Sequence, residues 1–185
     1  PLQGVSVECP HCGVHHTPLA IAQSNSVQAS NGKGGWVGVA PTRILACTSC
    51  KWPYVHVAAS QQMFPAVRLG KTVKNIPSDL AALYDEARDA SSVGAFTACA
   101  MVARKALMNL AVLEGAAENK SFQFYVDYLA SNGFVPPKGK PWVDKIRLTG
   151  NAATHEIQIV TADEARDVMY LLENLLRFNF EMTGP

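Results

Sequence analysis

Two pairs of cysteines carry the clearest chemical signal in this sequence. Cys9 and Cys12 stand in the segment CPHCG, and Cys47 and Cys50 stand in the segment CTSCK. Two thiolates separated by two residues can face one ion, because the turn between them points both sulfurs inward. Four such thiolates satisfy the tetrahedral coordination of Zn²⁺ and leave no open position. The sequence therefore predicts a structural zinc site with these four ligands.

The other metal-binding side chains nearby leave some alternatives. His11, His15 and His16 lie close to the first pair and could replace a ligand, but with four cysteines available we expect them at the surface. Two unrelated surface pairs, or a redox couple, are the alternative for the cysteines themselves. Cys99 falls on the apolar face of a predicted helix, so we expect it to be buried and inert. Paired CxxC elements without a secretory signal are typical of metal ligands in a reducing compartment, which favours a cytoplasmic location.

Composition places the chain among globular proteins. Of its 185 residues 48% are hydrophobic and 17% are charged, which is not the balance of a disordered tail. No segment approaches the roughly 18 uninterrupted apolar residues of a membrane-spanning helix, so we expect no membrane partner. The formal net charge of +1 argues against a protein that coats nucleic acid by bulk charge, although a local patch remains compatible with it.

The elements that must position these cysteines lie in the first third of the chain. Residues 1–60 have few helix signals and contain two β-favouring segments, Trp36–Val39 and Tyr54–Val57. The 34 residues between the two cysteine pairs are too many for a compact zinc ribbon, so they predict an inserted β-hairpin. We therefore expect a zinc-ribbon-like module over residues 1–60 and an extended connector over 61–76.

The remainder of the chain, residues 77–185, has helical periodicity. The clearest start is Thr161-Ala-Asp-Glu164, which has the pattern of a capping box. The spacing of apolar residues predicts five helices, and they begin near Ser78, Ser92, Ser121, Pro141 and Thr161. The predicted fold is therefore mainly α, with a small β zinc-binding module followed by an antiparallel five-helix bundle.

The predicted fourth helix carries a stripe of polar residues. Arg147, Asn151 and His155 follow one another at intervals of four, which places them within an arc of about 80° on one face. An imidazole beside a guanidinium and an amide could bind a phosphate or exchange protons with it. Arg104, on the second helix, could join them or remain an ordinary solvated cation. The alternative is a buried polar network that only holds helices together.

The motifs in combination resemble a known family. The two cysteine pairs are followed by Ala103-Arg-Lys-Ala-Leu107, by Gly150-Asn-Ala-Ala-Thr-His155 and by Thr161-Ala-Asp-Glu-Ala165. This order resembles the domain-of-unknown-function family catalogued as 4145, whose members are often preceded by a zinc ribbon. The resemblance covers nearly the whole chain. It implies a helical bundle of the HEPN class, found alone or fused to restriction-type enzymes and other anti-phage defence components.

The same resemblance implies a possible enzyme. Many HEPN proteins are metal-independent ribonucleases that act as dimers, in which an Arg-Asn pair precedes a His. Asn151 and His155 match that motif, but Gly150 occupies the position of its arginine. A missing cation removes a major electrostatic contribution to phosphate chemistry. Arg147, one turn earlier, or Arg104 could substitute for it.

Three functions follow from these observations. The first is a module that binds RNA, DNA or a partner protein, in phage defence or its counter-defence. The second is a HEPN-type ribonuclease that uses His155, with Asn151 and with Arg147 or Arg104 as the cation; this is the class we expect if the protein is an enzyme. The third is a structural oligomerisation domain, which would leave the polar stripe as packing. A homodimer is compatible with all three.

Overall fold

The computed structural model describes residues 6–23, 27–30, 36–39, 42–57, 60–136, 138–139, 141, 143 and 159–182. The chain divides into two compact units, an N-terminal unit of Pro1–Arg68 and a helical unit of Leu69–Pro185. Each unit is built from its own elements and is described separately.

The N-terminal unit consists of short strands in antiparallel sheets. The strands are β1 (Val7–Glu8), β2 (His15–His16), β3 (Leu19–Gln23), β4 (Val27–Ser30), β5 (Trp36–Val39), β6 (Thr42–Ala46), β7 (Pro53–Val57) and β8 (Gln62–Phe64). The main sheet has four strands in the order β3-β6-β7-β8, while β1 pairs with β2 and β4 pairs with β5. The β4–β5 pair lies between the two cysteine pairs along the chain, which confirms the predicted hairpin insertion.

The main sheet has one covered face and one open face. Leu45 on β6 is paired with Tyr54 on β7, and both are almost fully buried. The neighbouring residues Ile44 and Phe64 lie in one row across the sheet and are 43% and 57% exposed. Among the described residues of this unit, the buried apolar residues are few: Pro10, Pro18, Leu45, Ala46 and Tyr54, together with Cys9 and Cys47. A core of this size stabilises a small unit weakly, so a further constraint is needed.

The helical unit contains α1 (Ser78–Ser92), α2 (Phe96–Leu113), α3 (Phe122–Ser131) and α4 (Ala162–Phe180). Helix α2 contacts each of the other three helices. By length and composition α2 could cross a membrane, but it is a core helix whose buried residues are mostly small. The buried residues of α2 are Cys99, Ala100, Ala103, Ala106, Leu107, Leu110 and Ala111. Small side chains allow neighbouring helices to approach closely, and α2 lies in the core of the helical unit.

Two of the four described helices begin at a side-chain cap. At α4 the Thr161 side chain accepts the Glu164 N–H while the Glu164 carboxylate accepts the Thr161 N–H, which confirms the predicted capping box. Ser121 caps α3 by accepting the N–H of Phe124. Helix α2 begins at Phe96 rather than near Ser92, because Gly94 at φ +76° interrupts the helical backbone.

The prediction of an antiparallel five-helix bundle is wrong, since the described residues contain the four helices above. The predicted fourth helix falls mostly on residues 144–158, which lie outside the described residues. That prediction rested on apolar spacing without a cap at either end, which is a weaker signal than a capped helix start. The prediction of a mainly α chain also understated the β content, since the described part of the chain contains eight short strands.

The segment before α1 is fixed to the helices by side-chain hydrogen bonds to its backbone. Its donors and acceptors are paired as Leu69 N with Ser91 Oγ, Lys71 O with Tyr84 Oη, Lys71 N with Glu173 Oε2, and Lys74 N with Glu181 Oε1. Burial raises the pKa of Tyr84, and the nearby Glu173 carboxylate acts in the same direction, so Tyr84 stays protonated and donates. In the described part of the chain this segment has no neighbouring strand to pair with these backbone groups, and side chains of the helical unit pair with them instead.

Gly70 is the position in this segment where a side chain has no space. Its φ is +73°, and a Cβ atom there would overlap the hydroxyl of Tyr84. The Gly70→Ala variant should lose about 2–4 kcal/mol of unfolding free energy, because it adds left-handed strain to a broken hydrogen bond. Chemical denaturation of the full chain measures this loss.

The matched control is Gly94→Ala. Gly94 has φ +76°, but a Cβ atom there would meet nothing within 4 Å. This variant should lose only the conformational contribution of about 1 kcal/mol. Equal losses in the two variants would show that the Tyr84 contact contributes nothing.

Candidate metal centre

The four predicted ligands converge on one point in the N-terminal unit. Their Sγ atoms all lie within 4.8 Å of one another. The Sγ atoms of Cys9 and Cys50 are 3.7 Å apart, and those of Cys12 and Cys47 are also 3.7 Å apart. No disulfide joins them, because S–S bonds are about 2.0 Å long. Each short distance therefore links one cysteine of the first pair to one of the second.

The backbone around each pair forms the same turn. In the first turn, the N–H groups of His11 and Cys12 point to Cys9 Sγ at 3.4 and 3.5 Å. In the second turn, the N–H groups of Ser49 and Cys50 point to Cys47 Sγ at 3.3 and 3.5 Å. Donors directed at a sulfur favour its thiolate form, which is the form that binds metal.

The thiols differ in their acidity according to burial and these donors. Burial raises the pKa of Cys9 to about 12, against the lowering effect of the N–H groups of Cys12 and His11. Burial also opposes ionisation of Cys47, but the N–H groups of Cys50 and Ser49 outweigh it and lower its pKa to about 7.

The cluster fits zinc by its donors and by its dimensions. Zn–S bonds are about 2.3 Å long, so a tetrahedron places neighbouring sulfurs about 3.8 Å apart. The two distances of 3.7 Å match this edge. Soft thiolates in a set of four select zinc or an iron–sulfur centre over hard cations. Four protein donors leave no position for water, so the chemistry available to this site is structural.

Histidine positions around the cluster differ in part from expectation. His15 is exposed and its Nε2 lies 3.7 Å from Glu8 Oε2, as expected for a surface residue. The same prediction was wrong for His16, which is buried. Its Nδ1 accepts the N–H of Thr48, in the second turn, at 3.4 Å, and its Nε2 lies 3.5 Å from Tyr54 Oη. His16 therefore links the strand after the first cysteine pair to the turn of the second pair.

The two cysteine turns are equivalent position by position. Gly13 and Lys51 follow the second cysteine of each turn, and both have positive φ, +70° and +64°. At the next position, the carbonyls of Val14 and Trp52 accept the N–H groups of Cys9 and Cys47, each at 3.0 Å. This equivalence extends to His16 and Tyr54, which stand four residues after Cys12 and Cys50.

The second turn carries groups that the first lacks. The indole of Trp52 is stacked on the imidazole of His11, with ring centroids 4.5 Å apart and planes 11° apart. Despite this contact Trp52 is 47% exposed. The Lys51 ammonium is exposed and donates to Thr48 O at 2.6 Å. Of the other tryptophans, Trp36 lies in β5 and Trp142 lies outside the described residues.

The predicted polar stripe of the helical unit lies outside the described residues. The stripe consists of Arg147, Asn151 and His155, so the predicted catalytic role of these three residues stays a prediction. Arg104 is described: it lies half-buried on α2, and its guanidinium carbon is 4.0 Å from the centroid of the Phe122 ring. Burial lowers the pKa of Arg104. Its contact with Phe122 is a cation–π interaction within the helical unit.

Comparison with known proteins identifies the second half of the chain. No curated protein matches the sequence, and no solved structure matches it. A family model described as "Domain of unknown function (DUF4145)" matches residues 85–183, which is more than half of the 185 residues. The match includes α2, α3 and α4 and most of α1. The chain therefore belongs to the DUF4145 family.

Proposed function

We propose that the N-terminal unit is a nucleic-acid-binding module whose fold is maintained by zinc bound to Cys9, Cys12, Cys47 and Cys50. Zinc, when bound, supplies a closed tetrahedral link between the two cysteine turns and no catalytic chemistry. The four thiols within 4.8 Å of one another support the metal part of this proposal. The small apolar core described above makes such a link necessary for stability.

The observation that carries the binding part is the near absence of carboxylates from the N-terminal unit. Glu8 is its only acidic residue, against four Lys and Arg side chains. Glu8 is moreover paired with His15. With a doubly negative zinc–tetrathiolate centre the unit keeps a formal charge of +1, whereas 12 cations and 14 carboxylates give residues 69–185 a charge of −2. A polyanion is therefore attracted to the N-terminal unit rather than to the helical unit.

The test is fluorescence anisotropy of labelled 20-nucleotide RNA and DNA, titrated with zinc-loaded protein at several salt concentrations. We expect the logarithm of the binding constant to fall linearly with the logarithm of the salt concentration. The Cys47→Ser variant, which removes a ligand, should lose binding together with zinc. The matched control is Cys99→Ala, since Cys99 is a buried thiol of α2 outside the cluster. Absence of binding by zinc-loaded parent protein at low salt would refute the proposal.

The same titration separates binding from cleavage. Gel electrophoresis of the RNA afterwards should show intact strands. Cleavage without added metal by the parent but not by a folded His155→Ala variant would establish the ribonuclease alternative instead. The cytoplasmic location, the homodimer and the association with phage defence remain predictions that follow from the cysteine usage and from the family resemblance.

A further inference from the structure

We propose that Lys51 and Trp52, together with His11, form a stacking platform for single-stranded nucleic acid. This inference rests on the proposed function and specifies the ligand class and the residues that contact it. The platform is the exposed side of the second cysteine turn, where the indole of Trp52 lies parallel to the imidazole of His11.

The two turns hold their cysteines with the same backbone bonds but differ at two exposed positions. In the first turn these positions are Gly13 and Val14, and in the second they are Lys51 and Trp52. The geometry of the first turn shows that glycine and valine satisfy the structural demands of the metal site. Neither the cation nor the indole is therefore required to hold the cysteines.

Lys51 has a backbone conformation that is unfavourable for any residue other than glycine. Its φ of +64° is in the left-handed region, which is unfavourable for a residue with a Cβ atom. The equivalent Gly13 adopts a φ of +70° without that cost. Among the described residues the Lys51 ammonium forms no ion pair that would offset this unfavourable conformation. It donates a hydrogen bond to the Thr48 carbonyl. An unfavourable backbone conformation of this kind is a known feature of residues retained for ligand contact.

Trp52 presents an aromatic surface that is already oriented. Its carbonyl is bonded to the N–H of Cys47, and His11 supports its ring. Almost half of the residue remains exposed, so there is aromatic surface on which a base can stack. Bases stack on aromatic side chains irrespective of sequence, and a neighbouring cation contacts the phosphate between them. Bases inside a duplex are stacked on one another, so this platform selects single strands.

The test uses variants that copy the first turn into the second. Trp52→Val and Lys51→Gly place the residues of positions 14 and 13 at the equivalent positions, and both should retain one zinc per chain. Trp52→Val should weaken binding of a single-stranded 20-mer about 5- to 100-fold with an unchanged salt slope, because it removes stacking rather than charge. Lys51→Gly should reduce the salt slope by about 0.7, the value for one phosphate contact on a single strand.

Stability and strand preference distinguish the platform from a structural role. Lys51→Gly should be at least as stable as the parent, since it removes left-handed strain, whereas a structural lysine would leave the variant less stable. Trp52→Phe, which retains an aromatic ring beside His11, should keep most of the affinity. Parental affinity in both Trp52→Val and Lys51→Gly, or a preference of the parent for duplex, would overturn this inference and leave the proposed function intact. Failure of the zinc-loaded parent to bind any nucleic acid would instead refute the proposed function.

Discussion

Removal of zinc with a chelator should unfold the N-terminal unit and leave the four helices folded. The reason is the difference between the two cores: the described N-terminal residues bury few apolar side chains, whereas the helical unit has a continuous core from α1 to α4. Structural zinc contributes about 10–16 kcal/mol of binding free energy in small modules, which is more than their folding free energy without metal. Two-dimensional NMR of the full chain should show amide signals of β6 and β7 collapsing while those of α2 and α4 persist.

Cysteine variants provide the matched comparison for this result. Cys12→Ser should bind substoichiometric zinc and give the spectrum of the chelated protein. Cys99→Ala, which alters a cysteine of the helical core, should retain one zinc per chain. Dispersed signals from β6 and β7 after complete metal removal would show that the sheet does not depend on zinc.

The second large effect concerns the centre of the helical unit. Leu107 on α2 has no exposed surface. The Leu107→Ala variant should lose about 2–5 kcal/mol of unfolding free energy, because it removes buried methyl groups and leaves a cavity. Such a loss is a large share of the stability of an ordinary domain. Urea denaturation followed by helical circular dichroism measures it.

The same helix offers a control for this substitution. Leu113 is 54% exposed at the end of α2. Leu113→Ala should change the unfolding free energy by about 0.5 kcal/mol or less, as surface substitutions usually do. A loss at position 107 as small as that at position 113 would contradict the central position of α2 in the core.

The parts of the structure that could be predicted from sequence are those fixed by local chemistry. The CxxC spacing predicts the thiol cluster because each turn by itself directs its two sulfurs to the same side. Two such turns in one small unit therefore indicate a site of four thiols, which the structure shows. The Thr161–Glu164 capping box likewise depends on four consecutive residues. The DUF4145 resemblance rested on the order of several motifs along nearly the whole chain, and the family model confirms it over residues 85–183.

Other features depend on partners that are distant in sequence. His16 was expected at the surface, but its role is set by Thr48 and Tyr54, more than 30 residues later. The environment of Trp52 depends on His11, which the first cysteine turn places against its indole ring. The spacing of residues in the sequence does not predict this contact. The predicted fourth helix differs from these cases, since it rested on apolar spacing without caps and falls mostly on residues 144–158, outside the described residues.

X-ray absorption at the zinc edge of the purified, full-length chain tests the central claim most directly. A structural site made by Cys9, Cys12, Cys47 and Cys50 predicts one zinc per chain with four sulfur neighbours at about 2.3 Å and no oxygen or nitrogen neighbour. A first shell that contains nitrogen or oxygen would contradict the four-cysteine centre and would point to histidine or water as a ligand. Absence of zinc from protein purified without chelator would contradict the metal-dependent module altogether.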